Sequence, residues 1–165
     1  MVEGAANLVA VLEEGFDGDA WHGPNLLRSL RGVGPDEAGW SPGPGRPSIW
    51  ALTLHCAYWK HRVRQRLTGE REPFPREGRN FPAPPAGGGA GAWRADVRLL
   101  RATHASLLEA VRKNAGVLGR PGPGQKRSRA EHVTGIAFHD TYHAGQIRLL
   151  RKLHAQTRGG DGGSA

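Results

Sequence analysis

Two histidines near the C-terminus, His139 and His143, have the clearest potential for metal chemistry in this sequence. They lie four positions apart, so on a helix their ring nitrogens can meet on one metal ion. They belong to a run of residues spaced by threes and fours, which is one face of a helix: His132, Ile136, His139, His143, Gln146, Leu150 and Leu153. Such a face turns toward a bundle core, where an unsatisfied polar group costs roughly 1–3 kcal/mol. A metal ion would satisfy the imidazoles, although two ligands do not make a site.

A third imidazole is available on another predicted helix, which runs from about Ser48 to Thr68 and ends at Gly69. His55 lies at the edge of its apolar face, which is formed by Ile49, Leu52, Cys56, Trp59, Val63 and Leu67. In a bundle this helix can face the helix of the pair across the core. Three neutral imidazoles leave the metal charge uncompensated and one position open, which is typical of catalytic metal sites. The sequence therefore predicts one divalent ion, and imidazole ligation does not distinguish Zn, Ni, Fe and Cu.

Four amphipathic helices are predicted to position these residues. The first covers residues 3–14, and a second piece, capped by Asp19, runs to about Arg31. A Gly- and Pro-rich loop at 32–47 leads to the helix that carries His55. The fold class is therefore all-α.

The remaining chain completes a four-helix bundle. Residues 70–91 are rich in Pro and Gly, and their length suggests a crossover that makes the flanking helices parallel. The third helix covers 92–115, and Ser128 with Glu131 forms the S-x-x-E capping box that opens the fourth. We expect a single domain over residues 1–158 and a disordered tail at 159–165.

Three motifs carry a resemblance to a known family. They are SIWALTLHCAYW at 48–59, LTGE at 67–70 and HDTYHAGQI at 139–147. Together they resemble the DinB-like (YfiT-type) metalloprotein family over about residues 5–155. The sequence departs from the common pattern at Ala51, where no acidic residue completes a capping box with Ser48.

The resemblance implies a four-helix bundle with up-down-down-up topology and one divalent metal held by His55, His139 and His143. It also suggests a homodimer. The family includes thiol-dependent S-transferases and isomerases, so a low-molecular-weight thiol is an implied cosubstrate. Apolar residues beyond one helix face also favour a dimer: Leu99, Leu108 and Leu149.

Five other residues are candidates for the surroundings of the metal. Gln146 follows His143 by one turn and could orient it or bind a water, although helix packing would also explain it. His22 lies near a predicted kink and could line the pocket. Trp59 and Tyr142 are expected to be core aromatics that also form pocket walls, and His104 is expected to be a structural core histidine.

The other histidines and two further ligand types are assigned no metal role. His61, His132 and His154 are expected at the surface or at helix ends. Asp140 is rotated by about 100° from the metal-binding face of its helix. Cys56 is rotated similarly from His55 and should be a small buried hydrophobe.

Composition limits the function classes. The 165 residues contain 23 Lys and Arg against 15 Asp and Glu, which gives a net charge of +8 and permits anionic partners. Arg94, Arg98 and Arg101 share a helix face, but no known nucleic-acid-binding signature accompanies them. The single Cys excludes a disulfide framework, and no membrane-length apolar segment occurs, so we expect a cytoplasmic protein.

Three functions follow from these features. The first is a metal-dependent enzyme, a thiol S-transferase or a hydrolase, that acts on a small anionic substrate. Its weakness is that no Glu or Asp lies on a helix face beside the three histidines to act as a general base. The second is a non-catalytic metal- or ligand-binding bundle involved in stress responses. The third is a charge-driven nucleic-acid binder, which would require a steep fall of affinity with added salt.

Overall fold

The computed structural model describes residues 3–159, and these residues form six helices and no β-strand. The helices are α1 (Glu3–Phe16), α2 (Leu26–Leu30), α3 (Pro35–Gly39), α4 (Ile49–Thr68), α5 (Ala90–Lys113) and α6 (Arg129–Gly159), with a 3₁₀ turn at Ala115–Val117. The predicted all-α class is confirmed, and the four long helices correspond to the four predicted ones. The predicted tail lies outside the described residues from position 160 onward. Within the described part of the chain, every helix is too short or too polar to cross a bilayer.

Local hydrogen bonds set the ends of the helices that carry the three histidines. The Ser48 hydroxyl accepts the Ala51 N–H at 3.1 Å, so α4 is capped although a capping box is missing. Gly69 ends α4 at a φ of +80°, where a residue without a side chain is favoured. At the start of α6, Ser128 Oγ accepts the Glu131 N–H at 3.2 Å, and Glu131 Oε2 accepts the Ser128 N–H at 2.7 Å. The predicted capping box is confirmed.

The segment between α1 and α4 differs from the prediction. The cap of α2 is Asn25 and not Asp19, because the helix begins only after Pro24, which disfavours helical backbone in the residue before it. The Asn25 side chain accepts the Arg28 N–H at 3.1 Å and donates to the Gly18 carbonyl at 2.8 Å. The predicted loop over 32–47 also contains the one-turn helix α3.

The buried face of α6 is displaced from the predicted one. Its buried members are Val133, Ile136, Ala137, Asp140, His143, Ala144, Ile147 and Leu150. Four members of the predicted face are only partly buried: His132, His139, Gln146 and Leu153. The reason is that α6 packs against α1 and α2 as well as α4, so the centre of its buried face is rotated toward Asp140. His139 therefore lies at the edge of the core.

Contacts between the long helices follow a consistent order along the chain. Between α4 and α5, Trp50 bonds to Asp96 and Lys60 to His104, so the residue numbers rise together. Between α4 and α6 the order is reversed, because His55 contacts His139 whereas Arg66, further along α4, contacts His132.

The connection between α4 and α5 is held against the helices by hydrogen bonds. The Glu72 carbonyl accepts a hydrogen bond from His61 Nε2 at 2.8 Å, and Arg76 donates to the buried Asp96 carboxylate at 2.6 Å and 2.9 Å. Asp96 also accepts the Trp50 indole N–H at 2.7 Å. The predicted surface position of His61 is wrong, because this connection covers it and leaves only 6% of the residue exposed.

A buried ion pair lies at the centre of the bundle. The Lys60 ammonium donates to the Asp140 carboxylate and, at 3.2 Å, to His104 Nδ1, and all three residues are buried. The ammonium also lies 4.7 Å from the centre of the Phe16 ring, which stacks on His104 with ring centroids 3.7 Å apart. The four long helices α1, α4, α5 and α6 therefore meet at this pair.

Replacing Lys60 by Met should destabilise the protein by about 3–5 kcal/mol, because the substitution leaves the Asp140 carboxylate buried without its partner. The free energy of unfolding can be measured by urea denaturation. The double variant Lys60→Met/Asp140→Leu should recover much of the loss, since it removes both charges.

Lys113→Met is the matched control, because Lys113 pairs with Glu109 on an exposed face of α5. Its effect should be small. Equal destabilisation by the two lysine substitutions would show that the buried pair does not have this role.

Candidate metal centre

The structure brings together the three predicted histidines. His55 on α4 and His143 on α6 are buried, and His139 on α6 is partly buried. His139 Nε2 lies 2.9 Å from His55 Nε2 and 3.1 Å from His143 Nε2. Two nitrogens bound to one ion at about 2.1 Å and at right angles would be about 3.0 Å apart. The two distances from His139 match this spacing, and the ligand atoms of all three residues lie within 4.8 Å of one another, so the three residues could hold a metal ion.

The hydrogen bonds of the other ring nitrogens fix the tautomers of two imidazoles. His55 Nδ1 lies 2.6 Å from the Asn80 carbonyl oxygen, and His143 Nδ1 lies 2.7 Å from Gln146 Oε1. Both oxygens only accept, so each Nδ1 carries the proton and each Nε2 presents a lone pair to the shared space. Histidines that bind metals usually donate their second N–H to such oxygens.

This donor set fits a cation. A proton on His139 Nε2 could form a hydrogen bond with only one of the two neighbouring nitrogens, whereas a metal ion could be bound by all three nitrogens. Burial lowers the pKa of His55 to about 4 and that of His139 to about 3, and it also lowers the pKa of His143. The imidazoles are therefore neutral near pH 7, which is the form that binds metals.

The connection between α4 and α5 contributes two residues that the sequence analysis did not identify. Asn80 adopts a φ of +61°, its carbonyl accepts from His55, and its Oδ1 accepts the Trp59 indole N–H at 2.8 Å. The Phe81 ring stacks on His55 with centroids 4.0 Å apart. The available signal was an Asn within a Gly- and Pro-rich segment, since Asn tolerates left-handed backbone.

Three of the other candidates lie beside the three histidines, and one of them is Tyr142, whose ring lies edge to face with His143 at a centroid distance of 5.0 Å. Gln146 contacts His143 directly and donates to the Tyr142 hydroxyl at 3.1 Å. Trp59 is partly buried and lies edge to face with His55. The prediction that Tyr142 is a core aromatic is wrong, because 63% of it is exposed on the outer side of α6.

The remaining histidines lie elsewhere. His22 is exposed in the loop between α1 and α2, next to Trp21, and does not line the group. His104 is a core histidine, as predicted, and it contacts Lys60. His132 and His154 are partly buried, with Arg66 and Trp40 as respective neighbours.

A second group of potential ligands, Cys56, His139 and Asp140, is less suited to a metal. Asp140 Oδ2 accepts from Lys60 while Oδ1 has no hydrogen-bond partner within residues 3–159, and burial raises the pKa of the Cys56 thiol well above its usual value. Burial also raises the pKa of Asp140 to about 6, against the opposing effect of Lys60. Cys56 is a buried hydrophobe, as predicted.

Two open cavities lie near the three histidines. One, of about 140 Å³, is lined by His139 itself together with Trp59 and Arg66. The other, of about 350 Å³, is lined by Gln146 and by apolar residues such as Leu52 and Leu150. Only the first of these two cavities opens directly on one of the three imidazoles, that of His139.

Replacing Gln146 by Leu should lower metal affinity about 10–100-fold, because His143 Nδ1 loses the oxygen that holds its tautomer and ring orientation. Affinity can be measured by competition with a coloured chelator. Gln156→Leu is the control, since Gln156 is exposed on the same helix. Equal affinities of the two variants would contradict the orienting role.

A comparison with models of protein families supports the family resemblance that the three motifs indicate. The sequence model of the DinB superfamily matches residues 20–147, more than half of the chain, and this range includes the three histidines and Gln146. No curated protein and no solved structure shows a significant match to the chain. The chain belongs to the DinB superfamily.

Proposed function

We propose that this protein is a metal-dependent enzyme that acts on small molecules and binds one divalent ion through His55, His139 and His143. The observation that carries the proposal is the convergence of the three Nε2 atoms from two helices, at 2.9 Å and 3.1 Å. The hydrogen bonds to Asn80 and Gln146 leave lone pairs on the Nε2 atoms of His55 and His143, and His139 Nε2 lies within 3.1 Å of both, which is an arrangement that a shared cation would complete.

The side chains around the group support this role. Asn80 and Gln146 hold the N–H groups of two imidazoles, so both rings are oriented before a metal binds. Phe81 covers one face of His55 and limits the access of water on that side. The ion would supply Lewis acidity and would favour the deprotonated form of a water or thiol ligand.

The reaction class is inferred from the carboxylates near this group. Asp140 bonds to Lys60, and Glu131, which lines the same cavity as His139, accepts two hydrogen bonds from Ser128. A reaction in which the metal activates the nucleophile without a carboxylate base is therefore favoured. Thiol S-transfer, with a low-molecular-weight thiol as cosubstrate, and hydrolysis of a small anionic substrate are the two candidates. A non-catalytic metal-binding bundle is the alternative, and the same lack of a base supports it.

We also propose the up-down-down-up topology, a single domain over residues 1–158 and a cytoplasmic location. The order of contacts supports the topology, since α4 and α5 pair in the same direction and α4 and α6 in opposite directions. The central Lys60–Asp140 pair, which touches four helices, supports a single domain. A single, free cysteine is consistent with a reducing compartment.

Protein loaded with Zn or Ni should contain one equivalent of metal, and His139→Ala or His143→Ala should abolish its retention, because two imidazoles leave the site incomplete. Elemental analysis after gel filtration measures the stoichiometry. The metal should also raise the melting temperature of the wild type without being required for folding, since a ligand bound only by the folded state stabilises it.

His22→Ala is the control, because His22 is exposed and away from the group. It should retain the metal and the thermal shift. Full metal retention by either α6 variant would refute the ligand assignment, and a chelated wild type without a helical circular dichroism signal would refute the metal-independent core.

We propose that the protein is a homodimer that buries an apolar stripe on α6. The stripe is formed by Phe138, Tyr142 and Leu149, whose exposed fractions are 67%, 63% and 57%. Leu99 and Leu108, which the sequence also suggested, are partly buried against the core of their own chain, whereas Leu149 is exposed.

Light scattering at micromolar concentration should give the mass of two chains, and Phe138→Glu should reduce it to one because the charge would be buried in the interface. Val11→Glu, on exposed α1, should leave the mass unchanged. A wild-type mass of one chain would end the proposal.

A further inference from the structure

The cavity of about 140 Å³ that opens beside His139 combines cationic and apolar walls. Arg66 and Arg127 supply the charge, and Trp59, Val63 and Ile136 supply the apolar surface. A candidate metal ligand, two guanidinium groups and an aromatic ring thus line one space.

The positive charge of this cavity is only partly neutralised by its own walls. Within residues 3–159, neither Arg66 nor Arg127 forms a salt bridge. The one acidic lining residue, Glu131, is engaged by Ser128, whose N–H and hydroxyl donate to its carboxylate at 2.7 Å and 2.8 Å. The hydrogen bonds from Ser128 both reach Oε2 and, followed by the charge of Arg127, lower the pKa of Glu131, so this carboxylate offsets part of the charge of the two guanidinium groups and leaves a net positive charge.

Arg66 is held in place from two sides. Its Nη1 donates to His132 Nδ1 at 3.3 Å, and its guanidinium carbon lies 5.8 Å from the centre of the Trp59 ring. Burial and the two arginines lower the pKa of His132, so this ring stays neutral and accepts from Arg66. The guanidinium keeps further N–H donors for a ligand, and its planar fork matches a carboxylate.

The walls of the cavity indicate the rest of the ligand. The cavity is open to solvent, and its volume of about 140 Å³ can take a benzene ring, which fills an enclosed engineered cavity of roughly 150 Å³. An aromatic ring, or an aliphatic chain of similar size, would lie against Trp59, Val63 and Ile136.

We propose that this cavity is the substrate-binding pocket of the candidate metal centre and that it takes small carboxylates with an apolar or aromatic body of about six carbon atoms. The carboxylate pairs with Arg66 and Arg127, and the ligand lies beside His139. The proposal rests on the proposed function only in naming the ligand a substrate, since the pocket is built from residues other than His55 and His143.

Titration calorimetry of metal-loaded protein with benzoate tests the proposal, and benzamide serves as the neutral isostere. Benzoate should bind at least about tenfold more tightly than benzamide, because only the carboxylate makes charge-assisted hydrogen bonds with the arginines. Arg66→Gln and Arg127→Gln should each weaken benzoate binding about tenfold. Arg127 is exposed, so Arg127→Gln should fold normally and keeps the test valid if Arg66→Gln does not fold.

Arg62→Gln is the matched control, since Arg62 is exposed one turn earlier on α4 and bonds to Gln65. It should bind benzoate as the wild type does. Absence of benzoate binding at millimolar concentration, or equal binding by wild type and both pocket variants, would overturn the proposal.

Metal content, measured on the same samples, separates the two proposals. Arg66→Gln with one equivalent of metal and weakened benzoate binding supports the pocket. Normal metal content with no benzoate binding by the wild type overturns the pocket and leaves the metal centre standing. Benzoate binding that depends on Arg66 in a protein that holds no metal supports the pocket and refutes the metal centre.

Discussion

The buried pair of Lys60 and Asp140 is the constraint on which the rest of the bundle depends. Transferring two charges out of water is costly, and the cost is recovered only where geometry and surrounding packing are well defined. Here α4 supplies the ammonium, α6 the carboxylate, α5 the neutral His104 acceptor and α1 the Phe16 ring. Since Asp140 directly follows His139, the pair also fixes the rotation of the α6 turn that presents the imidazoles.

The positions of the candidate metal ligands depend on both local and long-range interactions. The α6 half is local, because His139, His143 and Gln146 lie within three turns of one helix and are fixed relative to one another once it forms. The α4 half is long-range, because His55 depends on Asn80 and Phe81, 25 and more positions later in the chain. Helical periodicity therefore determines one half, and tertiary packing determines the other.

This division explains how far the sequence could predict the structure. The helices, the capping box and the His139–His143 pair could be predicted, because spacing by threes and fours and local cap chemistry are properties of single segments. His55 could be added to the pair through the bundle architecture and the family resemblance of its motif. The burial of Lys60 and the roles of Asn80 and His61 could not, because each depends on a partner from another element. Lys60 and Asp140 do stand at core spacing, between Cys56 and Val63 and between Ile136 and Ala144. A charged residue at a core-facing position of one helix indicates a residue of opposite charge at a core-facing position of a neighbouring helix.

The hydrogen bond between the Asn80 carbonyl and His55 has a thermodynamic consequence. It joins the ordering of the connection between α4 and α5 to the orientation of one imidazole, so the two equilibria are linked. Linkage is reciprocal. If the hydrogen bond to Asn80 strengthens cation binding by orienting His55, a bound cation raises the free energy of local opening of this segment by the same amount.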